Sequence, residues 1–145
     1  LPDMDSWQAA RAIAAIAVVA PPGARFAMSE HGLPGAVAPR LHIIDVLGLH
    51  DPYFARHGFS AAELFRRKPD LIWLPHEDHT QMLRDILGSE ELWAHYAFYP
   101  YAFFHGIAVR SDGPQPDRLV ALLAAQWQVS YPGVPMAEHR ALRGE

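Results

Sequence analysis

Residues 42–58 read HIIDVLGLHDPYFARHG, an apolar run that ends at Asp45, breaks at Gly48 and restarts at Asp51-Pro52. The nearly continuous apolar run RLHIIDVLG is the pattern of a strand covered on both faces. Asp followed by Pro marks a helix start: Asp accepts from the first free amides, and Pro has no amide to leave unpaired. A strand passing directly into a capped helix commits the chain to layered α/β packing.

The rest of the sequence repeats this alternation. Asp5 or Ser6 caps a helix through WQAARAIAAIAVVA, with Trp7, Ala10, Ile13, Ala14 and Ala17 on its apolar face, and Pro21-Pro22-Gly23 stops it. ARFAMSE follows as a short strand closed by the loop HGLPG. Ser60 caps AAELFRRK, with Glu63 completing a capping box and Pro69 ending the helix. DLIWLP is a third, buried strand, after which Asp78 or Thr80 caps QMLRDILG and Gly88 terminates it. AHYAFYPYAFFHGIAVRS supplies one or two strands, the two-strand form being a hairpin around His105-Gly106. Pro100 marks an edge position or a bulge there. PDRLVALLAAQWQV is an amphipathic helix. The expected fold is a three-layer α/β/α sandwich around a mainly parallel sheet, Rossmann-like without a dinucleotide fingerprint. Residues 1–130 form the single domain and residues 131–145 a loose tail.

Composition narrows the function classes. The chain has 145 residues, 50% hydrophobic and 19% charged, the range of one globular domain with a real core. Only 12 Lys and Arg in a net charge of −4 leave no basic stripe for nucleic acid. The cluster Arg66-Arg67-Lys68 is expected to complement a helix C-terminus. Absence of cysteine excludes disulfides, thiolate metal sites and a cysteine nucleophile, while nine histidines are an unusual number. The apolar run 12–20 is far shorter than the roughly 20 residues that span a bilayer. The opening LPDMDSWQ has neither an initiating Met nor a basic leader, and is expected to belong to a longer polypeptide.

Each candidate chemistry has a plain structural counterpart. His76, Asp78 and His79 follow the third strand, where open α/β sheets place ligands, and form a candidate metal set for a free-standing hydrolase. His-x-x-His is not the i, i+4 spacing of the strong zinc motifs, and Asp78 has a helix to cap. Ser29-Glu30-His31 contains triad residue types, but sequential neighbours on a strand end point apart. EHGLPGAVAPR lacks the Gly-x-Gly-x-x-Gly spacing of a phosphate-binding turn. Asp45 and Asp51 are a carboxylate pair, yet Asp51 caps a helix and Asp45 has loop amides to accept from. The aromatic run 93–104 reads as one core face plus an edge rather than a sugar platform.

Two patches, EHGLPGAVAPRLHIIDVLGLHDPYFAR (30–56) and KPDLIWL (68–74), together resemble the soluble C-terminal domain of polytopic bacterial GT-C-class glycosyltransferases, the group of the mycobacterial arabinofuranosyltransferases. Asp45, Gly48, Leu49 and Asp51 match the family's Asp-x-x-Gly-Leu-x-Asp segment, and Ala55-Arg56 follow in step. The resemblance covers about residues 7–75. It departs at the preceding turn, where LPGAVAP lacks the family's tyrosine. It implies an extracytoplasmic domain without catalytic residues or cofactor, joined to the membrane-spanning part of its own polypeptide. The catalytic acid of such enzymes lies in a loop of that part, and their donors are polyprenyl-phosphate sugars. Glu30, His31, Asp45, His50 and Asp51 are then the candidate rim for a glycan or lipid-linked sugar.

Overall fold

A computed structural model describes residues 20, 22–28, 41–48, 51–75, 79–101, 104–113 and 134–135, with 14, 17, 18, 117, 118 and 121 besides. The last six have helical backbone and fall where the first and last helices are expected; the remainder of those helices lies outside the described residues. The strands are β1 (Arg25–Met28), β2 (His42–Asp45), β3 (Leu71–Trp73), β4 (Tyr96–Tyr101), β5 (Phe104–Arg110) and β6 (Val134–Pro135). The helices are α1 (Pro52–His57), α2 (Ala61–Arg66), α3 (Thr80–Leu87) and α4 (Glu90–His95).

The strands form one sheet in the order β2-β1-β3-β5-β4-β6. β1 pairs in parallel with β2 (Arg25↔His42 to Met28↔Asp45) and with β3 (Phe26↔Leu71, Ala27↔Ile72). β3–β5, β5–β4 and β4–β6 are antiparallel, so the sheet is mixed and not mainly parallel. The reason is local: 96–110 folds as a hairpin, and a hairpin necessarily adds antiparallel strands. Its turn lies between Tyr101 and Phe104, not at His105-Gly106. The register shifts between Tyr99 and Tyr101, a bulge at Pro100, whose nitrogen has no hydrogen to donate. Val134–Pro135 pairs with β4, so the stretch read as a tail contributes a strand.

Side chains alternate across the sheet. Ala27, Ile44, Ile72, Phe98 and Ala108 share one face and form a core with Phe54 of α1, Leu64 of α2, Ile86 of α3 and Leu92 of α4. Phe26, Met28, Leu71, Trp73, Ile107 and Val109 occupy the alternate positions and are buried as well, with Phe26 edge-on to Trp73 at 6.2 Å. β2 is less covered than its apolar sequence implies, because it is a terminal strand of the sheet: His42 is exposed and Ile43 half-buried.

The helix starts follow the sequence in part. Asp51 caps α1 and Ser60 caps α2, its Oγ accepting from the Glu63 amide at 3.2 Å. Glu63 does not close the capping box, because its carboxylate is held by Arg66 and Arg67. α3 begins with Thr80 as its first helical residue and His79 at the cap position, without a side-chain cap bond. Asp78 lies outside the described residues. α4 was not anticipated, although Ser89-Glu90-Glu91 places a cap-type residue and two carboxylates at a positive helix end.

α2 runs into β3 through Lys68, the one non-glycine residue at positive φ (+50°) among the described residues. Glycine there removes the left-handed penalty on a β-carbon but adds unfolded-chain entropy, so Lys68→Gly should stabilise by about 0.5 kcal/mol in denaturant titration. Tyr96 joins the hairpin to the same connection, its hydroxyl donating to the Pro69 carbonyl at 2.6 Å from a buried position. Burial pushes the Tyr96 phenol well above its usual value of 10.0. Tyr96→Phe should cost about 1 kcal/mol in thermal unfolding, since it leaves that carbonyl without its donor.

Candidate functional site

The chain leaves β1 toward β2 on one side and returns over it to β3 on the other, so the carboxyl ends of three adjacent parallel strands lie together. This is a topological switch point, the usual ligand position in open α/β sheets. Asp45 ends β2 opposite Met28 of β1. Glu30 and His31 follow Met28 in sequence, His76 and Asp78 follow β3, and His50 precedes α1; all five lie outside the described residues. Of the expected rim, therefore, Asp45 and Asp51 have a described geometry.

Asp45 is only 2% exposed. Its carboxylate accepts from the Leu47 amide (3.1 Å) and its carbonyl from the Gly48 amide (3.1 Å), which turns the chain sharply out of the strand. Gly48 has φ +82°, and a β-carbon there would sit 2.8 Å from Ala55 N and from Phe54 C, inside the backbone of α1. The turn and the helix touch backbone to backbone, which only glycine allows.

Asp51 then caps α1. Its Oδ1 accepts from the Tyr53 and Phe54 amides at 3.0 and 3.1 Å. Arg67, from the end of α2, closes a two-pronged pair on the same carboxylate, Nη1 to Oδ2 and Nη2 to Oδ1. Arg67 Nε also reaches Glu63 (3.1 Å), and its guanidinium stacks 4.6 Å from the Phe54 ring centre. Arg66 holds Glu63 from the other side through two bonds of 2.6 and 2.7 Å. These donors keep both acids ionised: Arg67 lowers Asp51, and Arg66 first, then Arg67, bring Glu63 from 4.5 to about 2. Arg66 lies in the last turn of α2 and Arg67 at its C-cap, the helix-end placement expected of the cluster; Arg67 in addition joins α2 to α1 through Asp51.

A second cluster secures the start of β3. Asp70 accepts from the Arg25 amide and from Arg110 Nη2, both at 2.8 Å, while Arg110 Nη1 donates to the Lys68 carbonyl (3.1 Å). Arg25 Nη1 donates to the Arg67 carbonyl (2.7 Å), linking the two clusters. Sequence reasoning missed both arginine centres. Glu63 stands at the helical i, i+3 and i, i+4 spacing from Arg66 and Arg67, a signal the sequence carries, whereas Asp51 and the partners in the second cluster lie 16 to 45 residues away, where no local spacing encodes the pairing.

Chemically, Asp45, Asp51 and Glu63 hold the chain's own donors, which leaves no acid–base pair among them. Among the described residues no group of three His, Asp or Glu is placed to hold a metal; of the candidate metal set only His79 is described, at the start of α3. No described helix is long and apolar enough to cross a membrane. No curated protein and no solved structure matches the chain. One family model does match, over residues 3–131, most of the sequence and all of β1 to β5. The chain accordingly belongs to the family described as Domain of unknown function (DUF8728).

Proposed function

We propose that this chain is the extracytoplasmic, non-catalytic domain of a membrane-embedded glycosyltransferase of the GT-C class, which uses polyprenyl-phosphate sugar donors. In this reading the domain helps hold the acceptor glycan beside the membrane part of its own polypeptide. One observation carries the non-catalytic assignment. The segment on which the resemblance rests, Asp45 to Asp51, forms a closed strand–turn–helix corner whose two carboxylates serve the fold. A transferase domain whose matching carboxylates are structural leaves the proton chemistry to another part of the enzyme. Burial of both sheet faces further suits a three-layer sandwich, α1 to α4 covering one face.

The acceptor would meet the switch-point edge; Glu30 and His31, which follow β1 in sequence, and His50, which precedes α1, have the carboxylate and imidazole chemistry that binds sugar hydroxyls. The test uses the intact gene product, with sugar transfer measured against acceptor concentration for Glu30→Gln and His31→Ala. The expected result is a raised acceptor KM with turnover at saturating acceptor kept within about threefold, as for lost uniform binding. Loss of turnover at saturation in a folded variant would assign catalysis to this domain and overturn the proposal.

A further inference from the structure

We infer that the corner formed by α1, α2 and the turn before α1 is a contact surface for an anionic membrane. Residues 51–68 carry four cations (Arg56, Arg66, Arg67 and Lys68) against two carboxylates (Asp51 and Glu63). That is a net charge of +2 in a chain of total −4, leaving −6 for the remainder. The exposure is one-sided too. Asp51 and Glu63 are largely covered and turned onto Arg67 and Arg66, whereas Arg56, Arg66 and Lys68 are exposed. Every exposed Lys, Arg, Asp or Glu in this stretch is positive.

The apolar component sits at the same corner. The large hydrophobic side chains exposed among the described residues are Val18, Leu47 and Tyr53. Leu47 immediately precedes Gly48, which abuts the backbone of Phe54 and Ala55, and Tyr53 immediately precedes Phe54. The two residues, 38% and 40% exposed, each adjoin in sequence a residue of that one backbone contact. The Tyr53 ring lies 4.7 Å from that of His57 and 5.8 Å from the Arg67 guanidinium, and the exposed cation Arg56 follows Tyr53 by three residues, one turn along α1.

Such a surface fits the lipid–water boundary. Tyrosine favours the headgroup level, an aliphatic side chain can enter just below it, and cations gain from anionic headgroups. The inference rests on the proposed reading only in that the reading puts a membrane within reach; the surface itself belongs to this chain.

Because the chain has no cysteine, a single reporter can be placed cleanly. Ala55→Cys on the exposed side of α1 and Glu91→Cys on α4 each carry an environment-sensitive fluorophore. Both are titrated with vesicles of phosphatidylcholine, with and without phosphatidylglycerol. A blue shift at position 55 with the anionic vesicles, and little at position 91, is the expected result. Arg56→Gln with Lys68→Gln should weaken that response roughly thirty-fold, and Leu47→Ser should reduce its amplitude. No response at position 55, an equal response to neutral vesicles, or equal responses at both positions would overturn the inference. Vesicle binding by a chain whose gene encodes no membrane spans would keep this surface and defeat the proposed reading instead.

Discussion

Gly48→Ala should cost the chain about 3 kcal/mol, although it adds a single methyl group. Two terms combine. Left-handed backbone at φ +82° costs a residue with a β-carbon about 1–2 kcal/mol. The new carbon would also lie 2.8 Å from Ala55 N and Phe54 C, backbone atoms that cannot retreat without displacing the cap at Asp51, and overpacking of this kind costs about 1–3 kcal/mol. Gly23 supplies the control: its φ is also +82°, but nothing lies within 4 Å, so Gly23→Ala should cost only about 1 kcal/mol. Denaturant midpoints of the two variants measure the difference directly.

Arg67→Met is expected to be nearly as damaging, at about 2–3 kcal/mol. Removing one partner of a fully buried pair costs about 3–5 kcal/mol, and the smaller figure reflects the 18% and 13% exposure that Arg67 and Asp51 retain. The substitution leaves Asp51 with its two amides and no cation, and removes one of the two arginines on Glu63. Arg66→Met should do much less, because Arg66 is 71% exposed and its contact is largely a surface ion pair.

The same cluster sets an acid limb. Asp51 and Glu63 both titrate below their usual 3.8 and 4.5, so the folded state binds fewer protons than the unfolded chain in this range. Their contribution is fully present above the unfolded values and is lost as pH falls through the folded ones, between 4.5 and about 2. Arg67→Met should flatten that limb, and thermal unfolding across this range would show it.

What the sequence disclosed was governed by short-range chemistry. Asp51-Pro52 and Ser60 announce α1 and α2 because a cap needs only its next three residues. Pro100 announces a bulge because a missing amide hydrogen disrupts any ladder. Strand direction was less legible, since the apolar pattern of 96–110 is the same whether its neighbour runs parallel or antiparallel; the β4–β5 hairpin and the pairing of β5 with β3 decide it. Arg67 was read as a helix-end cation for a related reason: its position along α2 is visible in the sequence, but its fit onto Asp51 and Phe54 is created by the fold. For the candidate rim, Asp45 was recognisable as an acceptor for loop amides, and its near-complete burial was not. The juxtaposition of the carboxyl ends of β1, β2 and β3 follows from the β2-β1-β3 order, which no residue pattern specifies.

The coding sequence upstream of Leu1 tests most directly whether this domain serves a membrane-embedded transferase. A series of apolar segments is expected there, each about 20 residues long, with an acidic residue in an outward-facing loop. An initiation codon or a cleavable leader directly before Leu1 would contradict it.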